Sequence, residues 1–242
     1  MDLDHPLALV TPTIDGDVLA LLARTEEEFT PGEIQQQLGY ASVQGIRNVL
    51  ARLVTQGIVV QERVRGVLVF SICSEHLATP YLQALAHLAD ELADRVSDQM
   101  ARWLPPPRFA CLSQRRPVPL DRPFPLDRPA TRGRGAPRRS PTPECLQLLI
   151  VPPDDLAKSL RPAWTAGVKD LQRRVTEWTG TKLVVRQLDV AGLTRSFYDG
   201  EEFLDQSINE GRVLFGRREF LELVRLGRST EDDQRRLLEA AL

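Results

Sequence analysis

The chain has 242 residues, enough for two domains of ordinary size, and its 42% hydrophobic and 26% charged residues are usual for a soluble globular protein. Its longest apolar run, Leu146 to Val151 around Gln147, falls far short of the ~20 residues that span a bilayer, which excludes an integral membrane protein. The net charge of −2 conceals three blocks: 7 Arg against 14 acids in 1–104, 9 Arg against 2 Asp in 105–143, and 15 Lys and Arg against 17 acids in 144–242.

The opening MDLDHPLALV has no basic segment of the kind that begins a secretory signal. Cys73, Cys111 and Cys145 are odd in number and widely spaced. They suit neither a disulfide framework nor a zinc knuckle, and they point to the reducing cytoplasm.

After a loose start ending at Pro12, Val18, Leu19, Leu21 and Leu22 predict a short amphipathic helix opened by Asp15. Thr30-Pro31-Gly32-Glu33 is a second helix start, with Thr30 as cap, Pro31 in the first position and Glu33 completing a capping box. That helix runs through Ile34 and Leu38 to Gly39. Ser42 then caps a third helix, in which Ile46, Val49, Leu50, Leu53 and Val54 form one apolar stripe. Gln44, Arg47, Asn48 and Arg52 fall on its other faces, and Gly57 ends it. Ile58–Arg63 and Val67–Ile72 read as a strand pair turned at Arg65-Gly66.

Three helices, a short turn between the second and third, and a two-stranded wing make a winged helix-turn-helix arrangement over residues 14–75. In the DNA-binding reading, Ser42, Gln44, Arg47 and Asn48 enter a major groove, where base edges require paired donors and acceptors. Arg52, Arg63 and Arg65 then position the phosphate backbone. The competing reading is a protein-binding module, which suits the eight acids and single Arg24 of the first 41 residues; from Ser42 to Arg65 four Arg face only Glu62. The stretch "GIRNVLARLVTQGIVVQERVRGVLVF" resembles the winged helix-turn-helix domains of bacterial transcriptional regulators. That resemblance covers about a quarter of the chain and implies double-stranded DNA as partner.

Residues 79–104 predict one long connecting helix through Leu82, Leu85, Leu88, Leu92, Val96, Met100 and Trp103. Packing on the wing domain and dimerisation into a homodimer both remain open for it. His76 and His87 lack partners at ligand spacing, so no metal is expected. Residues 105–143 hold eleven Pro and nine Arg, too few apolar side chains and backbone donors for packed structure. They read as a disordered or polyproline-like linker, or as a non-specific clamp on nucleic acid.

Residues 144–228 alternate strand and helix: strand Leu146–Val151, helix Leu160–Trp178, strand Lys182–Leu188, helices Val190–Phe197 and Glu202–Asn209, strand Val213–Phe215 and helix Phe220–Leu226. A last helix, Asp232–Leu242, lies in 229–242. "LLIVPPDDL", "VTEWTGTKLVVRQLDVAGL" and "INEGRVLFG" are similar to the second half of DNA polymerase beta-like minimal nucleotidyltransferase domains, which bacteria often fuse behind a winged helix-turn-helix. The resemblance implies a Gly-Ser turn for the nucleotide phosphates and two alternate strand aspartates for Mg²⁺. Here the aligned metal positions are Cys145 and Gln147, and the proline–arginine tract stands where the Gly-Ser turn belongs. Adjacent Asp154 and Asp155 do not substitute for alternate carboxylates.

Two origins fit that departure, a degenerate domain kept for packing or partner binding, and a frameshift pair in a GC-rich gene. No Gly-x-Ser-x-Gly or phosphate-binding Gly-rich loop occurs, and His5, His76 and His87 all lie outside the C-terminal half. The expected protein is α+β and cytoplasmic, with no cofactor, no metal and no catalytic residues. It is a DNA-binding regulator joined to a defective nucleotidyltransferase-like domain. The alternatives are a working metal-dependent nucleotidyltransferase, acting on a protein or small molecule, and a protein-interaction module.

Overall fold

A computed structural model describes residues 1–25, 27–115, 145–153, 156–198, 203–204, 207 and 210–216. The chain is mixed α+β. Its described residues fall into two compact units, one from Asp2 to Ala89 and one from Asp90 onward.

The first unit begins earlier than the sequence suggests. Pro6–Leu9 forms a 3₁₀ turn, and Leu7 is buried in the core. Helix α1 (Ile14–Arg24), α2 (Pro31–Leu38) and α3 (Val43–Thr55) follow. The Thr30 hydroxyl accepts the Glu33 N–H at 3.2 Å, while the Glu33 carboxylate accepts the Thr30 N–H at 2.7 Å. Both orphan donors at that helix start are therefore satisfied. Gly39 ends α2 at φ 70°, the left-handed geometry that closes helices without a Cβ clash. Val18, Leu22, Ile34, Ile46, Leu50 and Phe70 are fully or almost fully enclosed between these helices and the sheet.

Strands β1 (Val59–Val64) and β2 (Val67–Ile72) pair antiparallel from Val59 opposite Ile72 to Val64 opposite Val67. Phe29 adds a single bridge to Phe70, with backbone hydrogen bonds of 2.9 Å in both directions. The one long helix expected over 79–104 is two helices, α4 (Thr79–Ala86) and α5 (Leu88–Ala101). His87 leaves helical geometry at φ −94°, ψ 10°. The leucine spacing runs across this break unchanged, so periodicity alone does not reveal it. Arg24 Nε donates to the Ala86 carbonyl at 3.1 Å, tying the end of α4 to α1.

In the second unit, β3 (Phe109–Arg115), β4 (Cys145–Val151), β5 (Leu183–Gln187) and β6 (Arg212–Phe215) form a sheet in the order β5-β4-β3-β6. Strand β3 corrects the expectation of a linker throughout 105–143. Phe109 to Leu112 are buried, and the strand hydrogen-bonds to neighbours on both sides. The rest of that tract, 116–143, lies outside the described residues, as do the predicted helices Phe220–Leu226 and Asp232–Leu242.

Helix α6 (Arg161–Thr179) joins parallel β4 and β5, and α7 (Val190–Tyr198) follows β5. Phe109, Cys111, Leu149 and Val151 share one sheet face with Leu193, Phe203 and Leu204. Leu112, Leu146, Leu148 and Ile150 alternate onto the other face and are equally buried. Trp103 meets Trp164 edge to face with centroids 5.0 Å apart. Trp164 Nε1 also donates to Gln187 Oε1 at 2.7 Å.

Candidate nucleic-acid interface

The local sequence of α3 divides it into a buried and a polar side. Ile46, Val49, Leu50 and Leu53 enter the core, while Gln44, Arg47, Asn48, Ala51, Arg52 and Thr55 are exposed. At 3.6 residues per turn these six occupy the opposite half of the helix. Ser42 is exposed as well, but its Oγ accepts the Gly45 N–H at 3.1 Å. Its hydroxyl acts as the α3 cap rather than projecting with the others.

Gln44 and Asn48 stand one turn apart, and Gln44 Nε2 donates to Asn48 Oδ1 at 3.1 Å. Arg52 turns to α1, where its guanidinium donates to Asp15. Burial works to raise the Asp15 pKa. Hydrogen bonds from Arg52 and the Thr13 hydroxyl outweigh it, and the carboxyl is held below the usual carboxylate range. The structure thus couples one expected backbone-positioning arginine to an acid 37 residues away.

Arg47 faces the hairpin. With Thr30, Val43, Ala51, Gln61 and Leu68 it lines an open groove of about 600 Å³ between α2, α3 and the strands. Alternation along β1 places Gln61 and Arg63 on the face of Val59, opposite Phe70 and Leu68 of β2. The core-packing face of the hairpin therefore continues outward as Gln61 and Arg63. Beyond it, Arg65 and Gly66 make the two-residue turn at φ 50° and φ 85°. Both central residues are left-handed, the twist that suits a tight hairpin. Arg47, Arg63 and Arg65 are exposed and carry no ion pair among the described residues.

Of the seven expected contact residues, Gln44, Arg47, Asn48, Arg63 and Arg65 are exposed on α3 and the hairpin, and Arg47 lines the groove between them. Ser42 and Arg52 have partners within the unit. Sequence reasoning missed Gln61, although strand alternation from Arg63 marks its face. It also missed Asp15 as the partner of Arg52, for which no local signal exists.

In the second unit, Cys145, Gln147, Leu149 and Val151 alternate onto one face of β4, opposite Arg115, Ser113, Cys111 and Phe109 of β3. Gln147 is buried, and its Oε1 has no hydrogen-bond partner among the described residues. The Cys111 thiol donates to the Ser207 carbonyl at 3.3 Å, and the Ser113 and Ser207 hydroxyls lie 3.5 Å apart. The two strand positions that the nucleotidyltransferase resemblance would align with metal ligands hold a thiol and an amide. Among the described residues no group of three or more His, Cys, Asp or Glu side chains could hold a metal ion; Asp154 and Asp155 lie outside them. No described helix is long and apolar enough to cross a membrane, and the three cysteines form no disulfide.

Comparison with known protein families, with curated proteins and with solved structures finds no match to this chain.

Proposed function

We propose that the protein is a DNA-binding transcriptional regulator, a winged helix-turn-helix joined to a catalytically defective nucleotidyltransferase-like domain. The observation that carries this reading is the polar half of α3, with Gln44, Arg47 and Asn48 exposed beside a hairpin that bears Arg63 and Arg65. An α-helix fills a major groove, amide and guanidinium side chains match base edges, and exposed arginines take phosphates. For the second unit, support comes from the order strand, helix, parallel strand, helix, strand and from the Cys145 and Gln147 positions on one face of β4. Neither side chain is a hard anionic ligand of the kind Mg²⁺ selects.

A protein-interaction module is the second reading, favoured by the partly apolar groove and by Val67, 52% exposed at the hairpin turn. Fluorescence anisotropy separates the two. The full chain is titrated onto its own upstream duplex and onto a scrambled duplex, each at two salt concentrations. Tighter binding to the upstream duplex, weakened by salt and lost in Arg47→Ala, supports the regulator. Equal and strongly salt-dependent binding to both assigns the contact to the 105–143 arginines. Absence of binding to either rejects DNA as the partner. A working nucleotidyltransferase instead requires Mg²⁺-dependent nucleotide binding, which calorimetry on the same preparation measures.

A further inference from the structure

Gln44 and Asn48 are a coupled pair, and the coupling decides what each can offer a base. A side-chain amide has two N–H donors and a carbonyl that accepts. Gln44 uses one N–H on Asn48 Oδ1 at 3.1 Å. Its other N–H and its carbonyl oxygen carry no hydrogen bond among the described residues, and with the anti N–H on Asn48 the syn N–H and the carbonyl form one edge. Asn48 keeps two N–H donors, but its carbonyl is engaged. Both residues are exposed on α3, so neither set of groups is covered within the unit.

We infer that Gln44 is the adenine-reading residue of this interface and that Asn48 is its positioning residue. The inference rests on the DNA-binding reading above. In the major groove adenine presents the N7 acceptor beside the N6 amino donor, the complement of one amide N–H and one amide carbonyl. Guanine presents two acceptors, N7 and O6, and would set O6 against the Gln44 carbonyl. Cytosine and thymine each offer a single polar group. Asn48 holds the Gln44 amide in plane by fixing one of its two N–H groups, which reduces the rotamer freedom lost on contact with DNA. Arg47, on the hairpin side of the same face, is not part of the pair.

The test is a selection from a random duplex library with the full-length chain, followed by sequencing of the enriched sites. Four proteins are compared: wild type, Gln44→Ala, Asn48→Ala and Asn48→Asp. All three substitutions are at exposed positions, and thermal melts check that each variant folds. The expected wild-type site contains an A·T column that Gln44→Ala flattens while the other columns persist. Discrimination at that column falls by roughly tenfold or more, the scale of a lost bidentate base contact. Asn48→Ala weakens the same column. Asn48→Asp retains the acceptor for Gln44 and keeps the column, with lower affinity for all sequences from the added negative charge. A wild-type site whose columns all survive Gln44→Ala overturns the assignment while leaving DNA recognition intact. A flattened column that encodes G·C overturns it equally. A library with no enriched site in wild type overturns the DNA-binding reading and the assignment together.

Discussion

Arg65 at the wing tip has φ 50°, with Gly66 after it at φ 85°. An L-residue in the left-handed region loses roughly 1–2 kcal/mol to contact between its Cβ and backbone, whereas Asn visits that region more readily. Arg65→Asn therefore relieves strain without changing the turn, by several tenths to about 1 kcal/mol. For a unit of this size that corresponds to a rise of roughly 3–8 °C in melting temperature, read by calorimetry or circular dichroism. The same change removes a cation from the DNA side. Losing one phosphate contact lowers the slope of log affinity against log salt by about 0.9 and weakens binding to all sequences alike. Stability and affinity thus move in opposite directions. A variant that melts no higher than wild type refutes the strain argument. An unchanged salt slope refutes a wing contact with phosphate.

Substitutions at three further positions probe the α3 cap, the Asp15–Arg52 pair and the sheet core. Ser42→Ala removes the α3 cap and costs about 1 kcal/mol by urea denaturation, while Ser42→Asp retains most of it; equal stability of all three proteins would show that the Gly45 hydrogen bond contributes nothing. Asp15 has a folded-state pKa below its unfolded value, so its contribution is present at neutral pH and is lost as pH falls below about 4 through the depressed pKa. Asp15→Asn flattens that acid-side loss in denaturation curves taken from pH 3 to 7. It also releases Arg52 and steepens the salt dependence of DNA binding by about one phosphate contact. An unaltered pH profile would contradict the pairing. Phe109→Ala, in a position wholly enclosed in the sheet core, costs about 3–5 kcal/mol. Limited proteolysis then cuts the second unit rapidly, and resistance equal to wild type would return residues 109–115 to the linker.

The helices of the first unit are legible because their signals are local. Thr30 and Glu33 lie three residues apart, and the α3 stripe repeats every three or four residues. The Arg65-Gly66 turn is equally local. What the sequence hides depends on distant partners. Leu7 is buried although no periodic segment surrounds it. Arg52 meets Asp15 only because α1 and α3 pack together. Strand β3 is masked by its setting: Pro105 to Pro107 and the following arginines dominate the composition around it. Its Cys111, Ser113 and Gln114 look polar, yet both faces are buried. A strand flanked by partners on both sides need not show a clean apolar alternation.

Contact of α3 and the wing with DNA is read residue by residue by amide hydrogen exchange. The full chain is exchanged alone and with a saturating duplex carrying the enriched site. Slowed exchange confined to residues 42–52 and 61–67 is the predicted pattern. Slowing confined to 105–143, with α3 and the wing unchanged, would contradict the account and make the arginine tract the nucleic-acid contact.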